Sequence, residues 1–295
     1  MSKLKRNLTG IILGAGLALG VAGCNHEAAG PGQPALNAAQ ADSLAQAVTA
    51  ELDAMVQGAG IGYSDFAVLL AAPIELGDGP ASQCVPGRSP TPPTNSDADP
   101  VPDSVRLDFS GCVVSTPRAT VTYSGTVDVI DPTPTDSDRA VRTVYTDFTR
   151  TETGLIYGKT RSVKQNGARL LERTSSALRH EETDFRTDVT FADGSTASHV
   201  KDWSSTFTAD VPGSITRGPL PSGTWDIGGT SSWTRGDRSY ALRVKTDPAL
   251  HYDPSCTEAP TFDAGRLTAV VTRGESTSTV VIQFTACGEY TVTKS

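Results

Sequence analysis

The sequence predicts an all-β protein: a large antiparallel meander of about 11 to 12 strands with one N-terminal amphipathic helix. Three observations carry this. From residue 104 onward the chain is a succession of alternating segments punctuated by turns, the pattern of half-buried strands. The connections between segments are short, which favours antiparallel neighbours. Thr, Ser and Gly are abundant while aromatic residues make up only 6 %, a composition suited to sheet and turns more than to helix bundles. The pattern leaves open whether the sheet curls into an open barrel or cup, or folds into a sandwich.

The 295 residues begin with "MSKLKR", carrying Lys3, Lys5 and Arg6, followed by the uncharged stretch "NLTGIILGAGLALGVAG" that ends before Cys24. A charged start, a short apolar run and small residues before a cut make an export signal over residues 1–23. The apolar run is too short to span a bilayer, which takes about 20 apolar residues. "VAGC" (Val21, Ala22, Gly23, Cys24) resembles the bacterial lipobox. That resemblance covers the signal and cleavage site alone and implies diacylation of the Cys24 thiol with cleavage before it. Several acyl chains anchor a protein where one cannot, at about 0.8 kcal/mol per buried CH₂. The expected location is therefore the cell envelope, with Cys24 holding the chain to a membrane surface. Asn25 stands where aspartate signals inner-membrane retention in enteric bacteria, which points to the outer membrane.

Losing Lys3, Lys5 and Arg6 leaves 22 basic residues against 33 acidic ones, a formal charge of −11. Such a surface repels phosphate backbones, so nucleic acid is not an expected partner. Residues 24–36 lack periodicity and read as a flexible tether. Residues 37–58 form the predicted helix: Leu44, Val48, Leu52 and Met55 make one apolar stripe, with Asn37 to cap its start and Gly58 its end. "SDFAVLLAAPI" follows and reads equally as helix or buried strand. Residues 73–295 form a single β domain. Its 86–103 segment holds six prolines and is expected to be a loop, because proline cannot sit in a central strand.

Within the β domain, "FRTDVTF" places Phe185, Thr187, Val189 and Phe191 on one face, and "YALRV" places Tyr240, Leu242 and Val244 inward. "ADGS" at 192–195 and "RGD" at 235–237 read as hairpin turns.

"SVRLDFSGC" (104–112) and "TVVIQFTAC" (279–287) match in kind at seven of nine positions, each ending in cysteine. With Cys24 committed to lipid, Cys84, Cys112, Cys256 and Cys287 remain. An even number in an exported chain points to two disulfides. Three connectivities are open. The sequential one, Cys84–Cys112 with Cys256–Cys287, is the most economical, each bond closing a loop worth about 3–4 kcal/mol. Alternation would put Cys112 and Cys287 on the polar face unless a bulge near Gly111 and Ala286 turns them inward.

No catalytic residue, cofactor or metal ligand is assigned from sequence. The motifs HExxH, GxSxG and SxxK are missing, as is paired Cys/His spacing. "RHEETD" (179–184) reads as a charged turn. Asn95, Asp97, Asp99 and Asp103 fall at positions 1, 3, 5 and 9 of a calcium-loop pattern, but Pro100 replaces its turn glycine and Arg106 its bidentate glutamate, so a solvated acidic loop is expected. Trp203, Trp225 and Trp233 suggest a sugar-stacking platform, with Trp225 fitting the core better. Beyond the lipobox, "SGTWDIGGTSS", "DPALHYDPSC" and the strand–cysteine endings are similar to β-rich envelope lipoproteins of unassigned activity. The preferred reading is a lipid-anchored, non-enzymatic structural or binding module with a protein partner in the envelope. A carrier of a lipophilic ligand in a curved sheet is the first alternative. A hydrolase with dispersed residues is the second, to be recognised by Ser, His and a carboxylate converging.

Overall fold

A computed structural model describes residues 35–49, 52, 84–97, 99, 101–115, 118–136, 139–155, 158–216 and 219–295. The export signal, Cys24, the tether, Met55, Gly58 and the 64–74 apolar stretch lie outside the described residues.

Helix α1 covers residues 38–49, with residue 52 also helical. Asn37 caps it reciprocally. Its Oδ1 accepts from the Gln40 N–H at 2.8 Å, and Gln40 Oε1 accepts from the Asn37 N–H at 3.0 Å. Leu44, Val48 and Leu52 are all buried on one face, joined there by Ala41 and Ala45.

Fourteen strands belong to one sheet. They are β1 (Gly87–Ser89), β2 (Ser104–Asp108), β3 (Cys112–Ser115), β4 (Ala119–Ile130) and β5 (Arg139–Gly154). Next come β6 (Thr160–Arg173), β7 (Ala177–Thr190), β8 (Thr196–Ala209) and β9 (Gly223–Arg235). The last are β10 (Arg238–Thr246), β11 (Leu250–Tyr252), β12 (Phe262–Arg273), β13 (Ser276–Ala286) and β14 (Glu289–Lys294). Their order is a meander in which β3 shares β4 with β2, and β11 is inserted between β9 and β12 beside β10. Every pairing is antiparallel. All of these strands are hydrogen-bonded into one continuous antiparallel sheet, the meander that the sequence implied. The proline-rich stretch is a loop except where Gly87–Ser89 pairs with the β2 edge.

One face of the sheet, the inner face, carries two apolar cores. The larger joins α1 to the β7–β13 half through Phe207, Trp225, Phe262, Leu267, Ile282 and Phe284. The buried Leu36 N–H donates to Ser278 Oγ at 3.0 Å and pins the helix entrance to β13. The smaller covers β2–β5 with Val105, Leu107, Phe109, Val114 and Val127. Each fully buried aliphatic or aromatic side chain contributes roughly 1.5–3 kcal/mol. Between the cores, β6 is half-buried along both faces from Ser162 to Arg173.

A crease crosses strands β4–β9 midway. Register shifts fall at Ser124/Thr126, Tyr145/Phe148, Asn166/Ala168 and Glu182/Phe185. Asp147 (φ 50°) and Asp184 (φ 46°) adopt the left-handed backbone there, opposite Gly125 (φ 87°) and Gly167 (φ 109°). A Cβ on Gly125 would stand 2.3 Å from the Asp147 carbonyl oxygen, and one on Gly167 2.4 Å from that of Asp184. Only glycine fits such approaches. Gly229 repeats the relation with Asp202. The crease is stitched by the Asp147 N–H donating to Asn166 Oδ1 and the Asp184 N–H to Asp202 Oδ1, both at 2.8 Å.

The disulfides are Cys84–Cys112 and Cys256–Cys287. Cys112 follows Gly111 at φ 75°, pairs with buried Tyr123 and is itself buried, so the break between β2 and β3 turns it inward. At the other copy the ladder slips between Phe284 and Ala286, and Cys287 is half-buried.

Candidate functional site

The crease delivers side chains to the inner face in a set order. Each aspartate of the crease is followed by an aromatic residue: Asp147 by Phe148, Asp184 by Phe185 and Asp202 by Trp203. Cross-strand pairing then lines up Thr143, Arg169, Glu182, Trp203 and Gly229 across five strands. Tyr145 stands edge-on to Phe185 at 5.4 Å and to Phe148 at 5.9 Å. Segment 179–184 therefore is not a turn. It lies inside β7, where alternation sends His180 and Glu182 inward with Leu178.

Glu182 is a carboxylate buried within the strands of this face, at 8 % exposure. Arg169 Nε lies 2.9 Å from its Oε1 and Lys201 Nζ 3.8 Å from its Oε2. The Arg169 Nε–H is not aimed at the carboxylate, so this contact is electrostatic without a formed hydrogen bond. The Arg169 guanidinium lies 3.9 Å from the Phe185 ring centre, a cation–π contact. Nearby, Thr143 Oγ1, Ser205 Oγ and Trp203 Nε1 are shielded from solvent with no hydrogen-bond partner. Burial holds His180 below its ordinary pKa. Burial, reinforced by Lys201 and opposed by Glu182, brings His199 to about 4. Both imidazoles are neutral at pH 7, and the net charge of Arg169, Glu182 and Lys201 is +1. On the outer face behind this row, Glu181, Asp202, Ser204 and Gly228 line a shallow cavity of about 310 Å³, open because Gly228 and Gly229 carry no side chains.

A second constellation lies on the opposite face, at one end of the strands. Ser222 precedes β9, His251 is in β11, Asp263 in β12 and Asp210 follows β8. Ser222 Oγ is 3.2 Å from His251 Nε2, and His251 Nδ1 is 2.6 Å from Asp263 Oδ1, the spacing of a Ser-His-Asp relay. A fourth residue changes its chemistry. Asp210 Oδ2 accepts from Ser222 Oγ at 2.5 Å and lies 3.1 Å from His251 Nε2. Hydrogen bonding to Asp263, then to Asp210, raises the His251 pKa against the opposing effect of partial burial. With a carboxylate on each ring nitrogen, the raised pKa favours the imidazolium with both N–H groups donated to carboxylates, and the serine proton also goes to a carboxylate. A general base needs a free Nε2 lone pair. The arrangement as it stands is a four-residue ionic clasp between strand ends.

A third cluster replaces the expected solvated acidic loop. Asp103 turns away to Ser96, accepting from its N–H and Oγ at 2.7 Å each. Asp97 and Asp99 meet Asp131, just past β4, with one carboxylate oxygen of each within 4.8 Å of the others. Burial, followed by the neighbouring Asp97 and Asp131 charges, raises the Asp99 pKa, against a Val101 N–H bond and Arg139. Asp131 carries no local signal that would join it to residues some thirty positions earlier. Arg106, at the glutamate position of the calcium pattern, forks to Asp128 instead, at 2.7 and 2.9 Å.

Of the tryptophans, Trp225 is fully buried in the larger core. Trp203 and Trp233 are half-buried on the inner face, Trp233 stacked on Tyr240 at 5.5 Å. These features define a class: a disulfide-stapled, single-sheet β protein of an oxidising, exported environment. No protein-family model, curated protein or solved structure matches the chain.

Proposed function

We propose that this chain is a lipid-anchored cell-envelope protein that acts as a non-enzymatic binding module, held by Cys24 and engaging a protein partner through the inner face of strands β5–β8. The observation that carries the reading is the ion-paired, aromatic-bordered row Thr143–Arg169–Glu182–Trp203 on strands that the two apolar cores leave half-buried. Val163, Gln165, Thr187 and Val189 continue that half-buried surface beyond the crease. The partly exposed Arg169 guanidinium and the half-buried Trp203 ring beside a paired carboxylate offer a polar and aromatic surface, which suits a protein partner better than an apolar ligand. This weighs against the lipophilic carrier. An outer-membrane anchor, with the −11 charge of the mature chain, keeps the domain in an aqueous compartment.

The test is photo-crosslinking in cells, with a benzophenone side chain at position 163 on the inner face or at position 186 on the outer face. Discrete protein adducts from position 163 and none from 186 support the reading. Equal labelling, or adducts from neither, sinks it. Labelled palmitate should enter the wild-type chain and not Cys24→Ala.

A hydrolase is the second reading, favoured by the Ser222–His251–Asp263 distances. A fluorophosphonate probe distinguishes it: covalent capture at Ser222 would establish a nucleophile, whereas Asp210 on Nε2 leads us to expect none.

A further inference from the structure

We infer that Asp97, Asp99 and Asp131 form a calcium site that clamps the proline-rich loop to the end of β4. The three carboxylates share one arrangement. Each Oδ1 accepts the backbone N–H two residues on: Asp99 for Asp97 at 3.0 Å, Val101 for Asp99 at 2.6 Å and Thr133 for Asp131 at 2.8 Å. Each Oδ2 is shielded from solvent and has no hydrogen-bond partner. Those internal bonds explain the orientation but do nothing for the Oδ2 atoms. Asp131 decides the matter. It is only 3 % exposed, yet one of its two oxygens is unused and directed at two further carboxylates.

A buried carboxylate without a partner is costly, and converging ones add mutual repulsion. A protein keeps three such oxygens together when a cation compensates them. The donor chemistry identifies which cation. Calcium binds oxygens at about 2.3–2.6 Å in a flexible sphere, and three carboxylate oxygens within 4.8 Å of one another fit on it. Magnesium demands strict octahedral geometry at about 2.0–2.1 Å and keeps most of its water, so a site offering three protein carboxylates on two separate segments suits it less. Three hard anionic oxygens with water completing the shell suit calcium, and an exported chain meets it at concentrations that fill extracellular sites of about 10⁻⁴–10⁻³ M. The calcium-loop spacing visible in the sequence supplies Asp97 and Asp99, two of the three carboxylates, with Asp131 supplying what position 103 does not.

The clamp lies in the same part of the fold as the Cys84–Cys112 bond. Val101, two residues past Asp99, is buried in the smaller core with both cysteines. Asp131 N–H donates to the Asp103 carbonyl at 3.2 Å, so the ion would reinforce an existing seam between loop and strand.

The experiment is calorimetric titration of the purified full-length chain with CaCl₂ after chelator treatment, paired with thermal unfolding in EDTA, 2 mM CaCl₂ or 2 mM MgCl₂. The expected result is one calcium per chain and a rise in Tm of about 2–4 °C with calcium, with little from magnesium. Asp131→Asn and, separately, Asp97→Asn should abolish both, with the far-UV circular dichroism of the wild type retained. Absence of calcium heat and of a Tm shift in the wild type overturns the site. So does a shift that survives both substitutions, or one that magnesium matches. Because the wild-type titration decides alone, a variant that fails to fold leaves the outcome unaffected.

Discussion

Gly167 and Asp184 face each other across the β6–β7 ladder so closely that a methyl group on the glycine would reach to 2.4 Å from the aspartate carbonyl oxygen. Both residues hold left-handed backbone, at φ 109° and φ 46°. The same relation between Gly125 and Asp147 makes the crease a property of the sheet and not of one strand pair. Gly167→Ala therefore meets both steric overlap and an unfavourable φ, and should cost about 2–3 kcal/mol, read as a lowered urea midpoint with unchanged slope. Gly194→Ala, at φ 80° in the open β7–β8 turn, should cost only about 1 kcal/mol. Equal losses would show that the close approach does not matter.

Glu182 compensates two cations, so removing it should be expensive. Glu182→Gln keeps the shape but leaves the partly buried Arg169 and Lys201 uncompensated beside each other, with an expected loss of about 2–3 kcal/mol in equilibrium unfolding. The exposed Arg186–Asp188 pair is the control: Arg186→Gln should change stability by less than about 1 kcal/mol. If the two variants behave alike, the central row does not act as a buried ionic unit.

The sequence made the class of fold legible because alternation and turn chemistry are local. Phe185, Leu242, Val244 and, of the helix stripe, Leu44, Val48 and Leu52 are buried as their spacing implied. The strand number rose from about 12 to 14 because β1, β3, β11 and β14 are three to six residues long, too short for alternation to register. The site was much less legible. "TDF" occurs at 146–148 and again at 183–185, and this local repeat marks the crease; charge density in "RHEETD" masked it by reading as a turn. Ser222, His251 and Asp263 converge only through the β9–β11–β12 pairing, and no spacing announces that. A strand of mixed charges looks solvated until its neighbours are known.

The two disulfides sit in different surroundings despite the matching nonapeptides. Cys84 and Cys112 are buried at 2 % and 7 % exposure, whereas Cys256 and Cys287 are half-buried. Graded reduction followed by alkylation and mass spectrometry should label Cys256 and Cys287 first. Removing either bond by paired Cys→Ser substitution should cost about 3–4 kcal/mol, with the first pair losing more because two hydroxyls are then buried in an apolar core. Simultaneous labelling of all four cysteines at every reductant level would show a single cooperative opening instead.

Histidines pull the pH dependence in opposite directions. His199, held near 4 by burial, binds fewer protons folded than unfolded between about pH 6.5 and 4, so stability falls as pH drops through that window. His180, also lowered, adds to the fall. His251 is raised by Asp263 and Asp210. Its contribution is fully present below about pH 6.5 and is lost as pH rises through its folded value. His199→Gln should flatten the acid decline, while His251→Gln should lower stability at pH 5.5 more than at pH 8.5. Denaturant unfolding at those two values measures both effects. Nitrogen chemical shifts at pH 7 add a direct reading of the clasp: both ring nitrogens of His251 should be protonated. An unprotonated Nε2 would return the lone pair that Ser222 needs, and would make the Ser222–His251–Asp263 arrangement chemically competent after all.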